Sequence, residues 1–127
     1  MATIGSKGTD MALIIRQGAT FGPVYIRMED PLGVKIDLAG AVVRAQLRKT
    51  ALSAEKAADF VFTMLPADDQ YSFFFGLTDA VTEALAAGEK PTDPASKYVW
   101  DMEIEWPDGR VDPLYYGSVA VFREVTR

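Results

Sequence analysis

The 127-residue chain carries 13 basic and 18 acidic side chains, a formal charge of −5, and contains no cysteine and no histidine. Those absences exclude Ser-His and Cys-His nucleophiles, an imidazole base near neutral pH, thiolate zinc sites and any disulfide framework. With 49% apolar and 24% charged residues, the composition is that of one ordinary globular domain able to bury roughly two-thirds of its unfolded surface.

The acidic balance argues against a nucleic-acid partner, which needs a basic footprint. No apolar run approaches the roughly 18 to 20 residues of a membrane span, and Met1-Ala2-Thr3-Ile4-Gly5-Ser6-Lys7-Gly8 lacks the apolar core of a secretory signal. Gly5-Ser6-Lys7-Gly8 also lacks the strand-before, helix-after setting of a phosphate loop. Residues 1–9 are small, polar and glycine-bearing, and are expected to form a flexible arm ahead of a domain at 10–127.

In chain order, residues 10–16 predict a strand apolar on both faces, with Met11, Leu13 and Ile15 alternating with Ala12, Ile14 and Arg16. Residues 21–27 predict a second strand, with Val24 and Ile26 on one face and Tyr25 and Arg27 on the other. Pro23 lacks a backbone donor and makes this an edge strand or a bulged one. Asp30-Pro31-Leu32-Gly33 signals a turn, and Asp37-Leu38-Ala39-Gly40 leads into a strand at 41–48. There Val43, Ala45 and Leu47 face inward while Val42, Arg44, Gln46 and Arg48 face water, the pattern of a sheet with one wet side. Residues 49–58 lack alternation and predict a loop.

Residues 59–65 return to strand with Phe60, Phe62 and Met64 on one face, and Ala67-Asp68-Asp69-Gln70 turns the chain into a strand bearing Tyr71, Phe73 and Phe75. A helix is expected over 78–87. Thr78 serves as its N-cap, Asp79 suits the positive end, Val81, Ala84 and Leu85 form an apolar stripe, and Gly88 stands at C′. A polar loop follows at 89–97. The strongest strand runs over 98–106, where Tyr98, Trp100, Met102, Ile104 and Trp106 alternate with Val99, Asp101, Glu103 and Glu105. Pro107-Asp108-Gly109-Arg110 predicts a tight hairpin. Strands over 111–116 and 118–125 close the chain, with Gly117 as a bend or bulge. About eight short strands, regular turns and one short helix predict an all-β antiparallel sandwich.

Asp101, Glu103 and Glu105 share one face of one strand, roughly 6 to 7 Å apart in sequence along it. That spacing suits a hard cation or a carboxylate pair, but with no loop ligands or substrate cleft signalled it reads as a solvated outer face. Asp68-Asp69 and Asp108-Gly109 read as turn chemistry. Phe60, Phe62, Phe73, Phe75, Trp100 and Trp106 read as core. Phe74, Tyr115, Tyr116 and Phe122 fall out of phase with these core faces, so that some of them are expected to point outward, the alternative being a strand buried on both faces. Together with Ile4 of the arm, they are the candidate partner-binding residues. Residues 1–58 hold 8 basic and 5 acidic groups and residues 59–127 hold 5 basic and 13 acidic, a split that suggests a dipolar surface.

Three stretches, in this order and spacing, resemble the small immunoglobulin-like virion domains of tailed bacteriophages, including the N-terminal domain of upper baseplate proteins. They are Asp37-Leu38-Ala39-Gly40 with the Arg44-bearing strand after it, Leu77-Thr78-Asp79 through Leu85 to Gly88, and Tyr98-Val99-Trp100-Asp101 followed by Asp108-Gly109-Arg110, Gly117-Ser118-Val119 and Val125-Thr126-Arg127. The Asp112-Pro113 step departs from the family's continuous strand. The resemblance implies an immunoglobulin-like sandwich with a structural, non-enzymatic role and no cofactor, present in many copies among other virion proteins. It would be assembled in the host cytoplasm and bind neither nucleic acid, membrane nor a small-molecule substrate. A connector or adaptor of the tail or baseplate is the leading expectation. A head decoration (cement) protein and a stand-alone carbohydrate- or cell-surface-binding sandwich are the alternatives.

Overall fold

The computed structural model describes residues 8–85 and 95–123. The strands are β1 (Thr9–Asp10), β2 (Leu13–Arg16), β3 (Phe21–Ile26), β4 (Val42–Arg48), β5 (Ala58–Asp59), β6 (Val61–Met64), β7 (Phe73–Leu77), β8 (Ala95–Glu105) and β9 (Val111–Phe122), with one helix, α1 (Asp79–Ala84), between β7 and β8. One sheet has the order β3-β7-β6. The other runs β1-β9-β8-β4-β5, with β2 also pairing β9. These are the B-E-D and A′-G-F-C-C′ sheets of an immunoglobulin-like sandwich.

Most pairings are antiparallel, as period-2 alternation predicts. The exception is the start of the chain: β1 and β2 both run parallel to β9. The expected single strand at 10–16 is divided at Met11 and Ala12, although both parts keep one register along β9. There the Met11 amide donates to the Tyr116 carbonyl at 2.8 Å and its own carbonyl accepts from Trp100 Nε1 at 2.7 Å. Gly117 permits this close approach, since a Cβ at that position would overlap the Met11 carbonyl oxygen. Thr9 already lies in β1, so the last residue assigned to the arm belongs to the sheet; residues 1–7 lie outside the described residues.

Expected and observed strands also differ where the chain changes sheets. Residues 59–65 do not form one strand. The chain leaves the larger sheet after β5 and enters the smaller one at β6, with the Phe60 ring buried at the step. Toward the C-terminus, β8 begins at Ala95, three residues before the expected start, and β9 is continuous through Gly117. Its irregularity lies at Leu114, which has no partner between Met102↔Tyr115 and Glu103↔Pro113. A bulged residue advances the side-chain phase by one, so Leu114 and Tyr115 are both buried. Pro113, directly before the bulge, occupies a place where a missing amide is tolerated. In β3 the register likewise shifts between Phe21 and Val24, across Gly22-Pro23, and the strand is an edge.

The core is an aromatic stack running from one sheet to the other. Phe62 stacks on Phe75, Phe75 on Trp100 and Trp100 on Tyr115, with centroids 5.7, 5.7 and 6.2 Å apart, and Phe60 meets both Phe75 and Trp100 edge-on or tilted. Leu13, Ile15, Met28, Leu47, Met102, Ile104, Val119 and Val121 fill the space around it. Trp106 is only partly buried. Its Nε1 donates to Asp112 Oδ2 at 2.8 Å, bracing the β8–β9 hairpin, where Gly109 takes the positive φ of 89° that its turn requires.

The helix is shorter than its sequence pattern. It stops at Ala84 because Leu85 is extended and buried, so Gly88 is not its C′ residue and lies outside the described residues. Its inward position is Thr82 and not Ala84, which is exposed. The Thr82 hydroxyl accepts from the Gly18 amide at 3.1 Å and donates to the Ala19 carbonyl at 2.8 Å, while Gln17 Nε2 donates to the Leu85 carbonyl at 2.8 Å. Those bonds fasten a helix too short to stand alone to the β2–β3 turn.

Candidate functional site

The sandwich turns two surfaces outward on opposite sides, and each carries aromatic side chains. On the three-stranded sheet, register places Tyr25, Phe74 and Thr63 in one cross-strand row, with Val61 beside it on the same face. Tyr25 and Phe74 rings lie 5.2 Å apart and Tyr71 also packs against Tyr25, again at 5.2 Å. Tyr25 is 49% and Val61 57% exposed. None of the four row and flanking side chains is charged. A groove of about 350 Å³ runs over this face from Val61, Thr63 and Phe74 toward Asp79 at the start of the helix.

On the larger sheet the outward side chains form successive rows across β4, β8 and β9. One row is Gln46–Asp101–Tyr116 and the next is Arg48–Val99–Ser118. Toward the hairpin, Arg44 gathers two carboxylates, its Nε donating to Glu103 at 2.6 Å and its Nη2 to Glu105 at 3.0 Å. Those two hydrogen bonds push the Arg44 guanidinium further above its ordinary value, so it stays charged. Two members of the acidic stripe are therefore committed to Arg44. Asp101, the third, has no hydrogen bond or ion pair among the described residues. Burial pushes its carboxyl up, the neighbouring Glu103 adds to the shift, and Arg48 opposes it. The basic and acidic portions of the sequence meet here across β4 and β8, so the charge split along the chain does not separate into two poles at this face.

The residues expected to bind a partner are distributed as follows. Phe74 and Tyr116 lie on the outer faces just described, Phe74 half-buried beneath Tyr25 and Tyr116 48% exposed. Phe122 is half-buried at the end of β9, paired with Arg16 of β2, whose guanidinium lies 5.7 Å from its ring, and the 62%-exposed Ile14 lies on the same strand as Arg16. Tyr115 does not point outward. It is 1% exposed, because the bulge at Leu114 returns it to the core, and its hydroxyl is buried without a hydrogen-bond partner among the described residues. Ile4 lies outside the described residues. Sequence reasoning passed over Tyr25 and Tyr71 as partners of Phe74, and Gln46, Arg48 and Asp101 as neighbours of Tyr116. Period-2 alternation already placed Tyr25 opposite Val24 and Ile26. What it lacks is the register that sets Tyr25 beside Phe74.

Compared with known proteins, the chain matches no family model and none of the curated proteins.

Proposed function

We propose that the chain is a structural protein of a bacteriophage virion, a β-sandwich connector of the tail or baseplate that binds other virion proteins. The observation that carries this reading is the uncharged Tyr25–Phe74–Thr63 row, flanked by Val61 and Tyr71, on the outside of the three-stranded sheet. A surface of rigid aromatic side chains without charge gains little from water and much from an apolar partner. Ile14 and Phe122 occupy the opposite side of the sandwich, which lets one molecule join two neighbours. The sequence resemblance to immunoglobulin-like virion domains supports the same role, as does a composition without histidine or cysteine.

Mass spectrometry of purified particles tests the proposal. A connector is found in them at many copies, and antibody labelling places it on the tail. Labelling confined to the head would replace the connector with a decoration protein. Absence from particles would overturn both.

A further inference from the structure

Between the two outward rows of the larger sheet lies a cleft of about 320 Å³, lined by Gln46, Arg48, Val99, Asp101, Tyr116 and Gly117. Its size falls at the lower end of small-ligand sites, roughly 300 to 1,000 Å³. The cleft exists because small side chains, Val99 and Ser118, stand in the row beside the large Tyr116. From this arrangement we infer that the cleft binds a neutral sugar, with the Tyr116 ring as platform and Asp101, Gln46 and Arg48 as hydrogen-bonding partners of its hydroxyls.

Three features of the lining select that chemistry. The first is charge. Arg48 and Asp101 contribute one charge of each sign, so neither an anion nor a cation gains from the site as a whole. An anion would also meet Glu103 and Glu105 further along β8, and a cation would meet the Arg48 guanidinium. The second is the hydrogen-bonding inventory. Arg48 Nη2 donates to Gln46 Oε1 at 2.6 Å, which orients the Gln46 amide and leaves its NH₂ group without a partner among the described residues. The Asp101 carboxylate, equally unpartnered there, supplies two acceptors. Each sugar hydroxyl both donates and accepts, and a vicinal pair spans the two atoms of a planar carboxylate, amide or guanidinium. The third is the aromatic wall. Tyr116 is 48% exposed, and a pyranose ring presents an apolar C–H face that packs on an aromatic one. The upward shift of Asp101, caused first by partial burial, fits a carboxylate that is exposed yet lies against the cleft wall.

This inference stands whether or not the chain is packed into particles. Its test is an NMR titration of the full chain with glucose, galactose and N-acetylglucosamine at millimolar concentration. Sialic acid and protonated glucosamine serve as charged counterparts. The expected result is that a neutral sugar shifts the amide resonances of Gln46, Val99, Asp101, Tyr116 and Gly117. Tyr116→Ala and Asp101→Ala, both at outward positions of an intact sheet, should each weaken that binding by about tenfold, the first through loss of the stacking platform and the second through loss of one charge-assisted contact. Oligomers of the same sugar separate two sources. Tighter binding of the trimer than of the monomer assigns the site to a polysaccharide chain, and equal binding assigns it to a free sugar. The inference is overturned if no neutral sugar perturbs these residues, if only a charged sugar does, or if binding survives both substitutions in variants whose spectra show the native fold.

Discussion

Tyr115 is where a single residue departs furthest from its expected role. Its ring closes the aromatic stack against Trp100, yet its hydroxyl sits in the core with no hydrogen-bond partner among the described residues. An unsatisfied buried hydroxyl costs about 1 to 3 kcal/mol against one left in water. Tyr115→Phe keeps the ring and removes the orphaned oxygen, so it should raise stability by about 1 kcal/mol, read as a higher midpoint in urea. Burial also pushes the Tyr115 hydroxyl above its ordinary value of 10.0. The folded state therefore favours the neutral phenol, and the contribution of this group is lost as pH rises past the unfolded value. The phenylalanine variant should lose less stability than the parent in alkali. Asp101 obeys the same sign at the other end of the scale. Its raised carboxyl makes the ionised form a burden to the fold at neutral pH, relieved as protonation sets in on acidification. Asp101→Asn should melt at a higher temperature than the parent at pH 7, and the difference should shrink toward zero below about pH 4.

At the scale of elements, the helix shows how a local pattern and a tertiary bond compete. The sequence places Val81, Ala84 and Leu85 on an apolar stripe, but the buried position is Thr82, whose hydroxyl links the helix to Gly18 and Ala19 of the preceding turn. Thr82→Val preserves shape and strands both backbone groups, so it should cost about 1 to 3 kcal/mol. Amide exchange at Gly18 should accelerate more than exchange in β8. This bond is not legible in the sequence because its partners lie more than sixty positions apart. The same distinction runs through the other elements. Alternation in β4 and β8 identified every buried residue of those two strands within the expected spans, since the period-2 rule needs nothing beyond the strand itself. It failed at Tyr115, where one bulged residue reverses the phase, and at residues 59–65, where the strand changes sheets. It was silent on the parallel pairing of β1 and β2 with β9 and on the row Gln46–Asp101–Tyr116, both of which are set by register between distant strands. Phe74, Tyr116 and Phe122 were thus visible as outward-facing residues, but their assembly with neighbours into two faces was not.

For the whole molecule, the consequence is a sandwich with a different chemistry on each side. The larger sheet shows charges, some neutralised in place by Arg44, around a small cleft. The strands of the smaller sheet show aromatic, aliphatic and hydroxyl side chains outward, and no charge in the Tyr25–Phe74–Thr63 row. A partner seated on that row would exclude water from it, and a carboxylate placed there would lose its hydration without gaining a counter-ion. Thr63 suits the experiment because it is exposed on the edge strand β6, directly across from Phe74, and makes no core contact. Thr63→Glu should therefore leave the unfolding midpoint nearly unchanged, within about 0.5 kcal/mol, while abolishing incorporation of the chain into particles. Leu52→Glu is the matched control: it adds the same charge at a loop position that is 96% exposed, and incorporation should persist. Equal incorporation of the two variants would show that the aromatic face of the three-stranded sheet is not where the partner binds, and would move the contact to the Tyr116 side or to the sheet edges.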